Sequence, residues 1–300
     1  MYDRIDIRTA KKGVEILPLE MGYLPEFFQK KAELELDETP EKIIEYTNQI
    51  REMIKQDNKL MDYDFDDDWI VQYLRCRKFN VEKTFQRLKI AKSWINKYPE
   101  AYTNYSFDET IRTISDRICT VLPWRCHEGC AIVLIELDNW RPNLFPVDAM
   151  KRMFVLLVLQ ALKAEPMTQV NGFKVIIDVK CSSIRYLRHC TPQNMYMLYS
   201  GIFEVSPGRF KAIHVVNDSL TFKTAWLIIK QFMSSKVKER VHFHSSKKTL
   251  LDLFPKDVLP VSFGGDLENY DQTAWLKNRM TPEALASLGG GCMEKMAMEA

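Results

Sequence analysis

The feature that most constrains this chain is an alternation of dense apolar runs with helical segments beyond residue 118. Residues 131–137 are apolar at nearly every position, as a strand covered on both faces must be. Residues 147–164 are apolar almost all round a helical wheel, so this helix should be buried. Asn171-Gly172 precedes a strand over 173–179, and Thr191-Pro192 starts a helix carrying Met195, Leu198, Ile202 and Phe203. Ser206-Pro207-Gly208 turns into a strand over 211–216, a helix follows from about 220, and a short strand lies at 241–243. With a further strand at 119–124, this order predicts an α/β fold with a mainly parallel sheet under helical cover.

Upstream the period is helical throughout. Leu24-Pro25 opens a segment running to Leu36. Thr39-Pro40-Glu41 reads as a cap, a first-turn proline and a first-turn acid, followed by Ile43, Ile44, Ile50, Met53 and Ile54 near a 3.6 period. Five aspartates between Asp62 and Asp68 read as a solvated turn with acidic caps, since a calcium loop needs regular ligand spacing and its glycine. Trp69, Ile70, Tyr73 and Leu74 make the next stripe, and Asn80 caps a helix burying Phe85, Leu88, Ala91, Trp94 and Ile95. The expected organisation is an arm at 1–20, a helical domain at 21–105, an α/β domain at 106–280 and a tail at 281–300.

Composition narrows the function. The 42 basic and 40 acidic residues leave a net charge of +2, too balanced for a general polyanion binder, so no nucleic-acid partner is expected. The longest purely apolar run, 153–159, is far below the roughly 20 residues of a membrane span. The first residues lack the apolar core of a leader, so the seven cysteines are expected as reduced thiols. No phosphate-cradling glycine loop, nucleophile elbow or zinc-protease pair is present, and neither enzymatic activity nor a cofactor is expected. Cys126-His127-Glu128-Gly129-Cys130 lacks a second ligand pair and reads as a hairpin with incidental thiols. His242 and His244 share a strand face but have no carboxylate or cysteine near in sequence, so packing is the expected role.

The helix from 220 carries Phe222, Ala225, Trp226, Ile229, Phe232 and Met233, interrupted by Lys223, Lys230 and Gln231. Such a helix covers a core or lies at a membrane interface. Arg209, Lys211, Lys236, Lys238 and Arg240 lie nearby in sequence and would attract anionic headgroups.

Six segments in order resemble the CRAL-TRIO family of Sec14-like lipid-binding proteins: 68–83 (DWIVQYLRCRKFNVEK), 139–142 (NWRP), 171–178 (NGFKVIID), 207–214 (PGRFKAIH), 236–244 (KVKERVHFH) and 259–265 (LPVSFGG). The likeness is greatest to the animal branch holding the α-tocopherol transfer protein, the cellular retinaldehyde-binding protein and the clavesins. It implies a helical bundle, an α/β domain whose sheet floors an apolar tunnel, and a movable gate helix after Asn217-Asp218. It places Val155, Leu156 and Leu159 on the first tunnel helix, Phe173 and Ile177 on a strand, then Leu198, Ile202 and Ile213, with Phe222, Trp226 and Ile229 on the gate. Where the tocopherol-binding relative has two serines this chain has Val155 and Leu159, and where the retinal-binding relative has a tyrosine and a glutamate it has Phe154 and Ile177, which implies a drier tunnel. Arg77, Arg209, Lys211, Lys236 and Arg240 match a phosphoinositide-binding cleft. The implied protein is a monomeric, cytoplasmic, peripherally membrane-associated carrier whose partners are a lipophilic small molecule, an anionic membrane surface and phosphoinositides. The alternative is a phosphoinositide-binding trafficking or scaffold protein in which the tunnel is secondary.

Overall fold

The computed structural model describes residues 16–63, 65–98, 117–180, 188–217, 220–268 and 270–279. Four helices come first: α1 (Glu26–Leu36), α2 (Pro40–Gln56), α3 (Asp67–Cys76) and α4 (Val81–Lys97). Their starts follow local chemistry. The Thr39 hydroxyl accepts the Lys42 amide at 3.3 Å, the Asp66 carboxylate accepts the Trp69 amide at 2.6 Å, and Asn80 Oδ1 accepts the Lys83 amide at 2.9 Å. Asp66 thereby turns part of the acidic run into a helix cap. Ile50 and Ile54 are buried, but Ile44 is 66% exposed, because one residue past Ile43 is 100° further round the helix.

Five strands form one sheet in the order β1 (Cys119–Val121), β2 (Ala131–Glu136), β3 (Phe173–Asp178), β4 (Phe210–Val216), β5 (Val241–His244). β1 runs antiparallel to β2, and every other pair is parallel. β1 is shorter than expected, since Pro123 has no amide to continue the ladder. Strands added always on the same side, with right-handed crossovers, place their connecting helices on one face. These are α5 (Val147–Leu162), α6 (Pro166–Asn171), α7 (Pro192–Tyr199), which continues into a π-helical turn (Ser200–Val205), α8 (Leu220–Ile229) and the short α9 (Ser235–Lys238); α10 (Thr273–Arg279) follows the sheet. Ile132, Leu134, Ile176 and Val216 pack on the other face against Leu250, Phe254, Val258, Leu259 and Phe263.

The helical unit shares a single core with the α/β part. The Tyr73 hydroxyl donates to Val205 O at 2.8 Å, and the Arg87 guanidinium donates to Phe203 O and to Ser206 O. α3 and α4 thus hold the π turn from behind. Arg75, buried, pairs with Glu38 at 2.6 Å and donates to Gln169 of α6. The buried Arg125 guanidinium donates to Pro18 O at 3.0 Å and to Leu19 O, tying residues 17–19 to the body. The rest of the expected arm, residues 1–15, and the tail at 281–300 lie outside the described residues.

Gly172 sets the approach of β3 to β4. Its φ is +78°, and an added Cβ would lie 2.0 Å from the Arg209 carbonyl oxygen, which accepts the Phe173 amide at 2.7 Å. Gly172→Ala is therefore expected to cost at least about 1–3 kcal/mol from backbone strain alone. A melting temperature equal to wild type would show that the two strands can part without loss.

Candidate lipid-binding cavity and basic cleft

A cavity of about 260 Å³ lies between the sheet and α5, α7 and α8. Its floor is the odd-numbered face of the strands: Val133 and Ile135, Val175 and Ile177, Ile213 and Val215. Leu198 and Ile202 enter from α7 and the π turn. Phe222, Ala225, Trp226 and Ile229 close it from α8, at spacings that put them on one helical face. Trp226 also meets Phe243 of the edge strand edge-on, ring centroids 5.3 Å apart. Trp226 thus faces inward; the large residue that α8 turns to solvent is Leu227, 53% exposed.

Of the eleven tunnel residues expected, seven line the cavity: Ile177, Leu198, Ile202, Ile213, Phe222, Trp226 and Ile229. Val155, Leu156, Leu159 and Phe173 are not among the residues that line it. On α5 the wall is built instead by Val147, Met150, Phe154 and Val158. Each of these precedes a buried neighbour by one residue or a few, and 100° of rotation separates adjacent positions. Val155 turns toward Gly201 and Trp94, and Leu156 and Leu159 are core. Phe173 stacks behind Phe210, centroids 5.3 Å apart, and only Phe210 reaches the wall. The extra strand residues of the floor follow from alternation: positions two away from Ile177 or Ile213 must share their face. Nothing in the sequence selects His189, Cys190 or Trp140, which also line the cavity.

Several of the basic residues gather around the start of β4. Cys76 Sγ donates to Gly208 O at 3.8 Å, which brings the end of α3, where Arg77 lies, to the turn that precedes Arg209. Arg209 donates to Val170 O, and Arg240 donates to Phe210 O at 2.5 Å. Lys236 is exposed on α9, one turn before Arg240. Sequence reading missed an acid among them: Glu35 of α1 lies 3.3 Å from Lys211 and 4.0 Å from Arg209. Burial works against ionising Glu35, but Lys211, Lys31 and Arg209 outweigh it and hold the carboxyl below its ordinary range. Burial, then the Arg209 charge, lowers the Lys211 ammonium, and burial likewise lowers Arg209 despite Glu35. Among the described residues Glu35 and, more distantly, Glu128 face these cations, and Glu128 is itself paired with Lys174 at 2.8 Å, so the cations outnumber the carboxylates and the cleft can offer positive charge to an anion.

Behind the sheet, His242 and His244 are joined by His214 of β4. His214 Nδ1 lies 3.0 Å from His244 Nε2, and the His214 and His242 rings stack at 5.4 Å. Among the described residues no His, Cys, Asp or Glu group is placed to hold a metal ion. Burial, then His244, His242 and Lys174, lower the His214 pKa from 6.5 to about 4, with Glu128 opposing. The folded state therefore keeps this ring neutral while the unfolded chain takes up a proton below pH 6.5. Stability should fall as pH drops from 6.5 toward 4, with the loss shared among the three mutually repelling rings. Melting temperatures of wild type and His214→Gln across that window test it. Parallel pH curves for the two proteins would assign the acid sensitivity to other groups.

Comparison with known proteins follows the same division. The CRAL/TRIO domain model matches residues 116–265 and the CRAL/TRIO N-terminal domain model matches 24–89. The human alpha-tocopherol transfer protein-like protein is 30% identical over 262 residues, 86% of this chain and 76% of its own length. Clavesin-1 of Xenopus laevis is 31% identical over 270 residues, 88% of this chain and 80% of its own. The crystal structure of Sfh5 superposes with a TM-score of 0.57 at 14% identity, covering 88% of this chain and 99% of that one, a likeness of fold. A mostly parallel sheet with helices gathered over one apolar face, two matching domain models in the right order, and relatives aligned over most of its length together place this chain in the CRAL/TRIO family.

Proposed function

We propose that this protein binds a small lipophilic ligand in the cavity and transfers it between membranes, docking with help from phosphoinositides at the basic cleft. The observation that carries the reading is a cavity walled by aliphatic and aromatic side chains from three helices and a sheet. Unfilled apolar volume forfeits dispersion contacts, so an occupant is favoured. Burying a chain contributes about 0.8 kcal/mol per methylene, which supplies affinity with few polar contacts. A volume of about 260 Å³ lies just below the usual range of ligand cavities, about 300–1,000 Å³, and favours one compact lipophile over a two-chain phospholipid. The names of the relatives, a tocopherol transfer protein-like protein among them, are consistent with such cargo. In this reading the protein is a non-enzymatic, cytoplasmic monomer that meets the membrane peripherally. No helix of the described residues is long and apolar enough to cross a membrane.

Extraction and identification of lipid co-purifying with the protein tests this directly. A stoichiometric lipophile is the expected result, and protein that refuses every lipophile after delipidation would remove the carrier function. The basic cleft favours the second reading, a phosphoinositide-binding trafficking or scaffold protein, which predicts headgroup binding without cargo exchange. Docking through α8 carries its own expectation. Leu227→Asp should weaken vesicle binding several-fold and slow transfer, with cargo affinity in solution unchanged, because Leu227 points away from the cavity. Vesicle co-sedimentation equal to wild type would move the contact off this helix.

A further inference from the structure

We infer that Glu35 is a built-in competitor at the basic cleft: its carboxylate occupies Lys211 and Arg209, and a phosphorylated headgroup must turn it out to bind. This rests on the phosphoinositide reading of the cleft and deepens it by naming the residue that sets affinity there. Glu35 lies on α1, in the helical unit, and both cations lie at the start of β4. Glu35 Oε2 is 3.3 Å from Lys211 Nζ and 4.0 Å from Arg209 Nη2, so one carboxylate oxygen faces both. Glu128, the other acid near these cations, is paired with Lys174 at 2.8 Å.

The geometry suits exchange. The Glu35 side chain is 42% exposed, so water reaches its outer side, and ion pairs this open are weak. Leu36, next in the chain, is fully buried and anchors α1. The carboxylate can therefore swing into water by rotation about its own side-chain bonds, with α1 left in place. The cations it leaves behind keep their positions. Arg209 is mostly buried and donates to Val170 O. Lys31, which acts on Glu35 from one turn back on α1, is held 2.8 Å from Asn171 Oδ1 and 3.1 Å from Glu128 O.

A proton cannot release the contact. Burial works against ionising Glu35, but Lys211, Lys31 and Arg209 hold its carboxyl below the ordinary range, so it stays charged near neutral pH. Another anion can release it. Each phosphomonoester carries about −1.5 to −2 charge, so an inositol ring with two or more brings several times the charge of one carboxylate. Glu35 acts on the free protein by making only a fraction of it competent to bind. It therefore lowers the apparent affinity of every anion that needs Lys211 by the same factor. That factor sets the headgroup density at which the cleft fills.

The test measures two ligand forms on the full chain: soluble inositol trisphosphate by titration calorimetry, and vesicles containing phosphatidylinositol bisphosphate by co-sedimentation. Glu35→Gln removes the charge. Glu35→Asp keeps the charge but draws the carboxylate back by one methylene, out of reach of Lys211. Both variants are expected to bind both forms about three- to tenfold tighter than wild type, with melting temperature and cargo affinity unchanged. Tightening in Glu35→Gln alone would reduce Glu35 to a distant charge, and wild-type affinity in both variants would give it no part in the site; either result overturns the inference. So would weaker binding in either variant, which would make Glu35 a brace for the two cations. Tightening confined to one ligand form would also overturn it, because Glu35 would not then guard the place where the lipid headgroup sits. If neither wild type nor variants bind either form, the phosphoinositide reading of the cleft falls and this inference falls with it.

Discussion

Ile202→Arg should abolish lipid binding in a protein that still folds. Ile202 lies on the π turn, partly buried, and its side chain lines the cavity, so a longer side chain has somewhere to go. The guanidinium cannot discharge by losing a proton, and the described residues of the wall offer it no carboxylate. An uncompensated charge in an apolar space costs several kcal/mol, so ligand affinity should fall by at least about 100-fold. Leu159→Ala is the companion variant. Leu159 is 3% exposed and packed in the core, so its truncation should cost about 2–5 kcal/mol of stability and leave affinity per folded molecule intact. Measured together, lipid binding and melting temperature separate the two classes of position. Loss of binding without loss of stability in Leu159→Ala would mean that the tunnel face of α5 is the one carrying 155 and 159.

The second large effect concerns the cleft. Lys211→Glu combined with Lys236→Glu should lower affinity for vesicles containing phosphatidylinositol bisphosphate by at least 30-fold at low salt, with cargo binding in solution unaffected. Each basic group near an anionic surface contributes about 1 kcal/mol, and reversal adds repulsion of similar size. Arg209 is spared deliberately: it is mostly buried and hydrogen-bonded to Val170 O, so reversing it would threaten the fold as well as the cleft. The difference between variant and wild type should shrink as salt rises, because screening weakens the attraction itself. Equal vesicle affinity of the double variant at low salt would place the membrane contact elsewhere.

How much of this was legible beforehand depends on the range of the interaction concerned. Helix starts at Thr39, Asp66 and Asn80 rest on hydrogen bonds spanning three residues, and they were readable from the residue types. The strands over 131–137, 173–179 and 211–216 were readable from apolar density, and the structure places β2, β3 and β4 within a residue of those bounds. Period two also ties Ile177 and Ile213 to the floor they share with Val175 and Val215. Six ordered segments sufficed for the family, because each is a local string.

Tertiary structure alone decided the rest. Residues 147–162 are apolar all round, so their period has no phase, and packing against the π turn and Trp94 determines that Val158 and not Leu159 meets the cavity. Trp226 looked equally suited to membrane and core, and the contact with Phe243 turns it inward. Glu35 meets Lys211 across 176 residues of chain, and no pattern in sequence announces that partner. His189 became a wall residue only because its loop folds against Trp140, 49 positions earlier. Sequence by itself determined which surfaces had to be buried and where each element began, since those follow from side-chain chemistry within one or two turns. Which buried surface became core and which became cavity was settled by the relative rotation of packed elements, a sum over many weak contacts distant in the chain.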